Sequence, residues 1–251
     1  MTVPKKFLFV DLDDTLFQSR RKCPDGVPLA PAAYLKDGTA HSFLTPVQHG
    51  VLGFLQREMV VIPVTARSVD AYTRVRLGFV DRAVVNYGGV ILTSDGTPDV
   101  AWLERNRNLA RTDASCLEAI RATIIDWVDS AGAEIRVRII ADLSIPFYVC
   151  AKCEEGNEAS LDRIEAMARA RWPAGSESVR VHRNGSNLSV LPGWLDKRHA
   201  VAHLIQQLRH AHGEIATFGM GDSLSDVGFM TECDYALIPR DSQISRRLAP
   251  S

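Results

Sequence analysis

The sequence predicts an α/β domain built on a parallel sheet and interrupted by an inserted α+β module. Short β-branched and aliphatic runs alternate with helical patterns over the first ninety or so residues, and the same alternation returns after about residue 196. Between these halves the order changes to helix, strand, strand, stated twice, which implies antiparallel hairpins with helices on one face. The predicted boundaries are 1–95 and 192–251 for the α/β domain and 96–191 for the module.

The first strand is FLFV, residues 7–10, and it runs directly into Asp11, Asp13 and Asp14. Residues 18–45 are rich in Pro, Gly and charge, and a connection of that length is usually functional or mobile. A helix follows over about 46–57, then the strand VVIPV (60–64), a helix over about 69–77, and the run AVVNYGGVIL (83–92), which reaches a strand end at Asn86. In the module a helix over about 115–130 leads to AEIRVRIIAD and IPFYVCAKC; a second helix over about 161–171 leads to ESVRVHRNG and NLSVLP. AEIRVRI alternates polar and apolar residues, as a sheet with one buried and one open face requires. The α/β pattern resumes with a helix over about 197–210, the strand IATFGM (215–220), a short helix over about 226–231 and YALI (235–238).

Composition narrows the function classes. With 46% apolar and 24% charged residues the chain is that of an ordinary globular protein, and disorder is excluded. A net charge of -1, with Lys and Arg scattered along 251 residues, supplies no footprint for nucleic acid or an anionic membrane, so any anion is bound locally. The opening MTVPKK lacks the features of a signal peptide and no apolar run approaches the ~20 residues of a membrane span, so a cytoplasmic protein is expected. Five unevenly spaced cysteines suit thiols in a reducing compartment; Cys150 and Cys153 have the spacing of a metal or redox pair but no second pair or His beside them.

Chemistry concentrates where the strands end. Ligands of open α/β sheets bind beyond the carboxyl ends of the strands. Those ends carry Asp11 and Asp13, Thr65, Asn86, and Asp222 with Asp226, while Lys197 opens the helix before the last of them. Carboxylates gathered at one edge repel unless a cation neutralises them, and all-oxygen ligands without His or Cys select a hard ion such as Mg²⁺ over zinc. A Mg²⁺ held by few carboxylates completes its shell with water and substrate phosphate, and Thr65 and Lys197 suit the remaining phosphate oxygens. Phosphoryl transfer is the implied reaction.

These segments resemble the four motifs of the haloacid dehalogenase (HAD) superfamily of phosphohydrolases. FLFVDLDDTLF resembles the first, an apolar strand followed by DxDxT; VTARS (64–68) the second; Asp196-Lys197 the third; and GDSLSD (221–226) the fourth. All four occur in the expected order, with Ala66 where Gly is common and Ser225 where related sugar phosphatases often have Asn. The resemblance implies a Rossmann-like core with an inserted α+β cap that closes over the pocket as lids do. It makes Asp11 the nucleophile that forms an aspartyl-phosphate, and Asp13 the acid and base whose backbone carbonyl also ligates Mg²⁺. Thr65 and Ala66 would bind the phosphoryl group, Lys197 would neutralise charge, Asp11, Asp13 and Asp222 would hold the metal, and Asp226 would orient Lys197 or a metal water. Asp14 is expected to be a turn or capping residue.

The module is similar to the caps of sugar phosphatases, of the sucrose-phosphate phosphatase and Cof-like kinds, so the expected substrate is a small phosphorylated metabolite such as a sugar phosphate. Arg67, Arg180, His182, Arg183 and Asn187 are candidates to contact it. SVLPGWLDKR (189–198) also resembles the third-motif region of eukaryotic-type phosphomannomutases, which return the phosphoryl group to sugar, but GDSLSDVGFM resembles the phosphatase branch. A receiver-type signalling domain gathers a similar set of residues but is about half as long and lacks an inserted module, and a silent binding protein has little need of both Asp11 and Asp13.

Overall fold

A computed structural model describes residues 3–154, 156–170 and 179–249. In chain order its elements are β1 (Lys5–Val10), β2 (Gln18–Ser19), β3 (Ala30–Tyr34), β4 (Ala40–Leu44), α1 (Pro46–Glu58), β5 (Val60–Pro63), α2 (Val69–Tyr72), β6 (Ala83–Val85), β7 (Val90–Leu92), α3 (Val100–Ala131), β8 (Ile135–Asp142), β9 (Ile145–Cys153), α4 (Ala159–Ala170), β10 (Arg180–Asn184), β11 (Asn187–Leu191), α5 (Lys197–His212), β12 (Ile215–Met220), α6 (Val227–Met230), β13 (Tyr235–Leu237) and α7 (Gln243–Leu248). The chain divides into two compact units, Met1–Leu103 with Asp196–Ser251, and Glu104–Leu195.

The first unit is built on a parallel sheet in the order β13-β12-β1-β5. β1 lies inside it and is hidden on both faces. Phe7 and Phe9 join one apolar cluster with Val201, Leu204 and Leu208 of α5, while Leu8 and Val10 join another with Leu52 and Leu55 of α1. Burial on both faces is why the strand reads as a continuous apolar run, and it aims everything after Val10 at the carboxyl edge of the sheet. α1 starts where Thr45 and Gln48 form a reciprocal capping box.

The second unit is a four-stranded antiparallel sheet in the order β10-β11-β9-β8. One face packs Val149, Ala151, Leu188 and Val190 against Leu117, Ile120 and Ile124 of α3 and Leu161 and Ile164 of α4. Cys150 and Cys153 both lie in β9, and their odd spacing puts them on opposite faces, Cys153 in this core and Cys150 opposite Arg138 and Ser189. Both are free thiols.

Four expectations are corrected. Residues 18–45 are an ordered antiparallel sheet, β2-β4-β3, with Ala32, Ala33 and Leu44 in the core. The helix expected over 69–77 ends at Tyr72, because the chain then pairs with β3: the Arg76 N–H donates to the Ala32 carbonyl at 2.8 Å, and Val75 bridges Ala33. AVVNYGGVIL is a β6–β7 hairpin, turned by Asn86 and Tyr87 with positive φ. The helix expected to begin at 115 begins at Val100, so the division between units falls within it. Arg171, Glu177 and Ser178, assigned above to a helix end and a strand start, lie outside the described residues.

Candidate active site

The Asp11 N–H donates to the Met220 carbonyl at 2.9 Å, one step beyond the Val10↔Met220 pair of the β1–β12 ladder. Register therefore sets Asp11 beside the loop that carries Asp222. Lys197, the first residue of α5, donates from Nζ to Asp11 Oδ1 and to Asp226 Oδ1, both at 2.7 Å. All three are hidden from solvent, with Asp11 6% exposed, Lys197 3% and Asp226 0%. Two hydroxyls complete the cluster. Thr15 Oγ1 lies 3.2 Å from both Asp11 Oδ2 and Asp222 Oδ1, and the Ser223 hydroxyl and N–H donate to Asp226 Oδ2 at 2.7 and 3.0 Å.

Two glycines permit this packing. A Cβ on Gly88, which has φ +96°, would overlap the Asp196 carbonyl, so the hairpin turn presses directly on the start of the helix that presents Lys197. A Cβ on Gly221 would fall 2.5 Å from the Asp226 Cβ.

The cluster holds three carboxylates and one ammonium. Burial, opposed by Lys197 and reinforced by Asp226, raises the Asp11 pKa well above the usual carboxylate range. Burial, then the charges of Asp226 and Asp14, pushes Asp222 up to about 6. Burial works against the Lys197 charge, but Asp11 and Asp226 outweigh it and raise its pKa. The site is short of positive charge.

Asp13 faces a different partner. The guanidinium of Arg67 donates from Nε to Asp13 Oδ2 and from Nη2 to Oδ1, each at 2.7 Å. Thr65 is buried at the end of the β5 segment, with its hydroxyl accepting from the Arg67 N–H at 3.2 Å, and Ala66 beside it is half-buried. Asp14 takes a positive φ of 65° in the turn and pairs with Lys22 at 2.5 Å. That is the turn role expected of it, although its charge also reaches Asp222.

Solved structures match this chain over nearly its whole length. The sucrose-phosphatase of Synechocystis, solved with sucrose and phosphate, is 18% identical and matches with a TM-score of 0.54 over 98% of this chain and 87% of that one. A haloacid dehalogenase-like hydrolase from B. subtilis is 13% identical, with a TM-score of 0.53 over 98% and 93%. The C-terminal domain of C. albicans trehalose-6-phosphate phosphatase is 12% identical, with a TM-score of 0.51 over 91% and 74%. The chain has the haloacid dehalogenase fold. No family model and no curated protein matches the sequence.

On this haloacid dehalogenase fold, Asp11, Asp222 and Asp226 offer oxygens that all lie within 4.8 Å of one another. An all-oxygen set with excess negative charge, two of its three carboxylates buried and Asp222 half-buried, fits a hard divalent cation. The Asp13 side chain is turned to Arg67, so a contribution from Asp13 falls to its backbone carbonyl. Thr15 and Ser223 were not singled out from the sequence; the only signal for either is its place inside DxDxT and GDxxxD. The remaining substrate candidates belong to the second unit. There Arg180 donates to the Leu195 carbonyl at 2.6 Å, Arg183 to the carbonyls of Glu158 and Gly185, His182 is half-buried on β10, and Asn187 opens β11 opposite Lys152. Among the described residues no helix is long and apolar enough to cross a membrane.

Proposed function

We propose that this protein is a Mg²⁺-dependent phosphohydrolase that removes phosphate from a small phosphorylated metabolite, a sugar phosphate above all, through an aspartyl-phosphate on Asp11. The observation that carries the reading is the buried Asp11 carboxylate, 2.7 Å from the Lys197 ammonium and grouped with Asp222 and Asp226, at the carboxyl end of an interior parallel strand. The structural relatives include a sucrose-phosphatase holding sucrose and phosphate, which favours a sugar phosphate.

Asp11 attacks phosphorus as the bond to the leaving oxygen breaks, and Asp13 gives that oxygen a proton. In the second half, water attacks the phosphorus of phospho-Asp11, Asp13 takes the water's proton, and the Asp11 oxygen leaves. Lys197 favours the ionised form of Asp11, orients it and meets the charge of the transferred group; Asp226, fixed by Ser223, holds Lys197 in place. Thr65 and the Ala66 backbone receive phosphoryl oxygens. Asp11, Asp222 and the Asp13 carbonyl would hold Mg²⁺, which when bound supplies charge neutralisation of the phosphoryl group. Asp226 stays behind them as the support of Lys197.

The unit Met1–Leu103 with Asp196–Ser251 is the catalytic core in this reading, and Glu104–Leu195 is the inserted module that selects the substrate, in the cytoplasm. The test is a screen of phosphorylated metabolites with and without Mg²⁺, with Asp11→Asn beside the wild type. Phosphate release that needs Mg²⁺ and disappears in Asp11→Asn is expected. Interconversion of hexose 1- and 6-phosphates with no phosphate released would replace hydrolysis by a mutase reaction.

A further inference from the structure

The geometry points to Arg67 as the positioning residue for Asp13: its guanidinium fork holds the Asp13 carboxylate for activation of the water that hydrolyses phospho-Asp11. This rests on the function proposed above, and it moves Arg67 from the substrate side of the site to the proton-transfer side.

The fork is fixed from several directions. Arg67 Nε and Nη2 meet the two oxygens of Asp13 at 2.7 Å each, the paired geometry in which a guanidinium sets direction as well as charge. The guanidinium carbon lies 5.2 Å from the centre of the Phe17 ring, and Nη2 is 3.5 Å from the Ser42 hydroxyl of β4. Its backbone is pinned on both sides, with its N–H donating to Thr65 Oγ1 at 3.2 Å and its carbonyl accepting from the Asn86 N–H at 2.8 Å. The arginine side chain is only 16% exposed.

Asp13 has no comparable anchoring of its own. Its side chain is 40% exposed, and among the described residues Arg67 is its only side-chain partner. A substrate taking the fork of Arg67 would leave this carboxylate unheld. Substrate contact and Asp13 positioning are thus competing roles, and the contacts present are those of positioning.

The two halves of the reaction ask different things of Asp13. When it gives its proton to the leaving oxygen, it starts as a neutral carboxyl whose hydroxyl oxygen is a poorer acceptor for an N–H donor than a carboxylate oxygen. When it receives the water's proton, both oxygens begin as acceptors, which is the form that two parallel donors fit, and each still has a lone pair for the water. Arg67 therefore serves the second half: the water oxygen bonds to phosphorus, the Asp11–phosphorus bond breaks, and the water's proton passes to Asp13.

The experiment is rapid mixing of the full chain and Mg²⁺ with p-nitrophenyl phosphate, whose leaving group departs without a proton. Arg67→Ala is expected to release a burst of nitrophenolate approaching one equivalent per enzyme, followed by a steady rate about 100-fold below wild type, the scale of a misplaced catalytic group. Arg67→Lys, a point charge without a fork, is expected between the two. An Arg67→Ala enzyme with wild-type kinetics, or one in which both phases fall equally, would overturn the proposal, the latter showing a merely structural residue. Should Arg67→Ala not fold, as judged by circular dichroism, Arg67→Lys decides by the same criterion. Asp13→Asn separates the two levels. If it turns over like wild type, the role given to Asp13 under the proposed function fails; if it is slow while Arg67→Ala is not, only the role of Arg67 fails.

Discussion

The two units of this chain treat charge in opposite ways. In the first, an ammonium and two carboxylates (Lys197, Asp11 and Asp226) are buried together at the end of a sheet whose interior is mostly apolar. In the second, the core of Leu117, Ile120, Ile124, Val149, Ala151, Leu161 and Leu188 holds, among the described residues, thiols but no carboxylate or ammonium, and the arginines of β8 are exposed. Removing charge from water is costly unless it is matched, and the match in the first unit is incomplete. A fold retains such a cluster where chemistry needs it. Among the described residues, the core of the second unit holds no such cluster.

The largest effects are expected where the buried charge is disturbed. Lys197→Met should abolish turnover and cost about 3–5 kcal/mol, because two buried carboxylates lose their only ammonium. Urea unfolding in chelator measures this, and Mg²⁺ should recover part of the loss by standing in for the missing charge. Asp11→Asn should be equally inactive yet as stable as wild type or more so in chelator, since it relieves a site with excess negative charge. A Lys197→Met protein of wild-type stability would show that the cluster is hydrated and the contrast between units false. On the other side of the comparison, Ile120→Ala in the apolar core should cost about 2–5 kcal/mol through lost burial and a cavity, and the stabilisation given by Mg²⁺ should not change.

How much of this was legible in the sequence follows the same division. Asp11, Lys197, Asp222 and Asp226 are gathered by register and by helix starts, and strand periodicity with fixed motif spacing reveals both. Thr15 and Ser223 were not, because a hydroxyl carries no signal until its partner is known. The Arg67–Asp13 pair spans 54 positions and depends on where the chain leaves β5, which no local pattern encodes. The β2-β4-β3 sheet stayed hidden because its strands are two to five residues long, include Pro31 and are interrupted by register shifts, so no alternation survives. The start of α3 was missed for a related reason: ERNRN and RTD are too polar to show an apolar stripe.

A smaller, pH-dependent effect sharpens the comparison. The folded pKa of Asp222 is about 6 against an ordinary 3.8, raised first by burial and then by Asp226 and Asp14. A carboxyl raised in the folded state contributes stability while it is protonated. That contribution is complete below about pH 4 and is lost as pH rises through about 6, on the order of 2 kcal/mol. In chelator the urea midpoint should therefore fall between pH 4.5 and 7.5; Asp222→Asn should flatten the change, and Mg²⁺ should offset it at the upper end. Among the described residues the second unit offers no buried carboxylate to act this way, so a slope that remains in Asp222→Asn is expected to come from Asp11, which is raised in the same direction.

The smallest effect is expected at Arg138, and its smallness is the point. Arg138 stands on the open face of β8, exposed, directly across the ladder from Cys150. Burial raises the Cys150 thiol, and Arg138, with Lys152, opposes that rise, without an ion pair among the described residues to hold Arg138 in place. Arg138→Ala should then change unfolding free energy by less than about 0.5 kcal/mol, the range of surface substitutions away from structural features. Cys150 should react more slowly with a thiol reagent, because the larger of the two nearby charges favouring its thiolate, Arg138 rather than Lys152, has gone. A loss of 2 kcal/mol or more would place Arg138 in the same category as Lys197, and the second unit would have to be counted, like the first, as a fold that depends on charge.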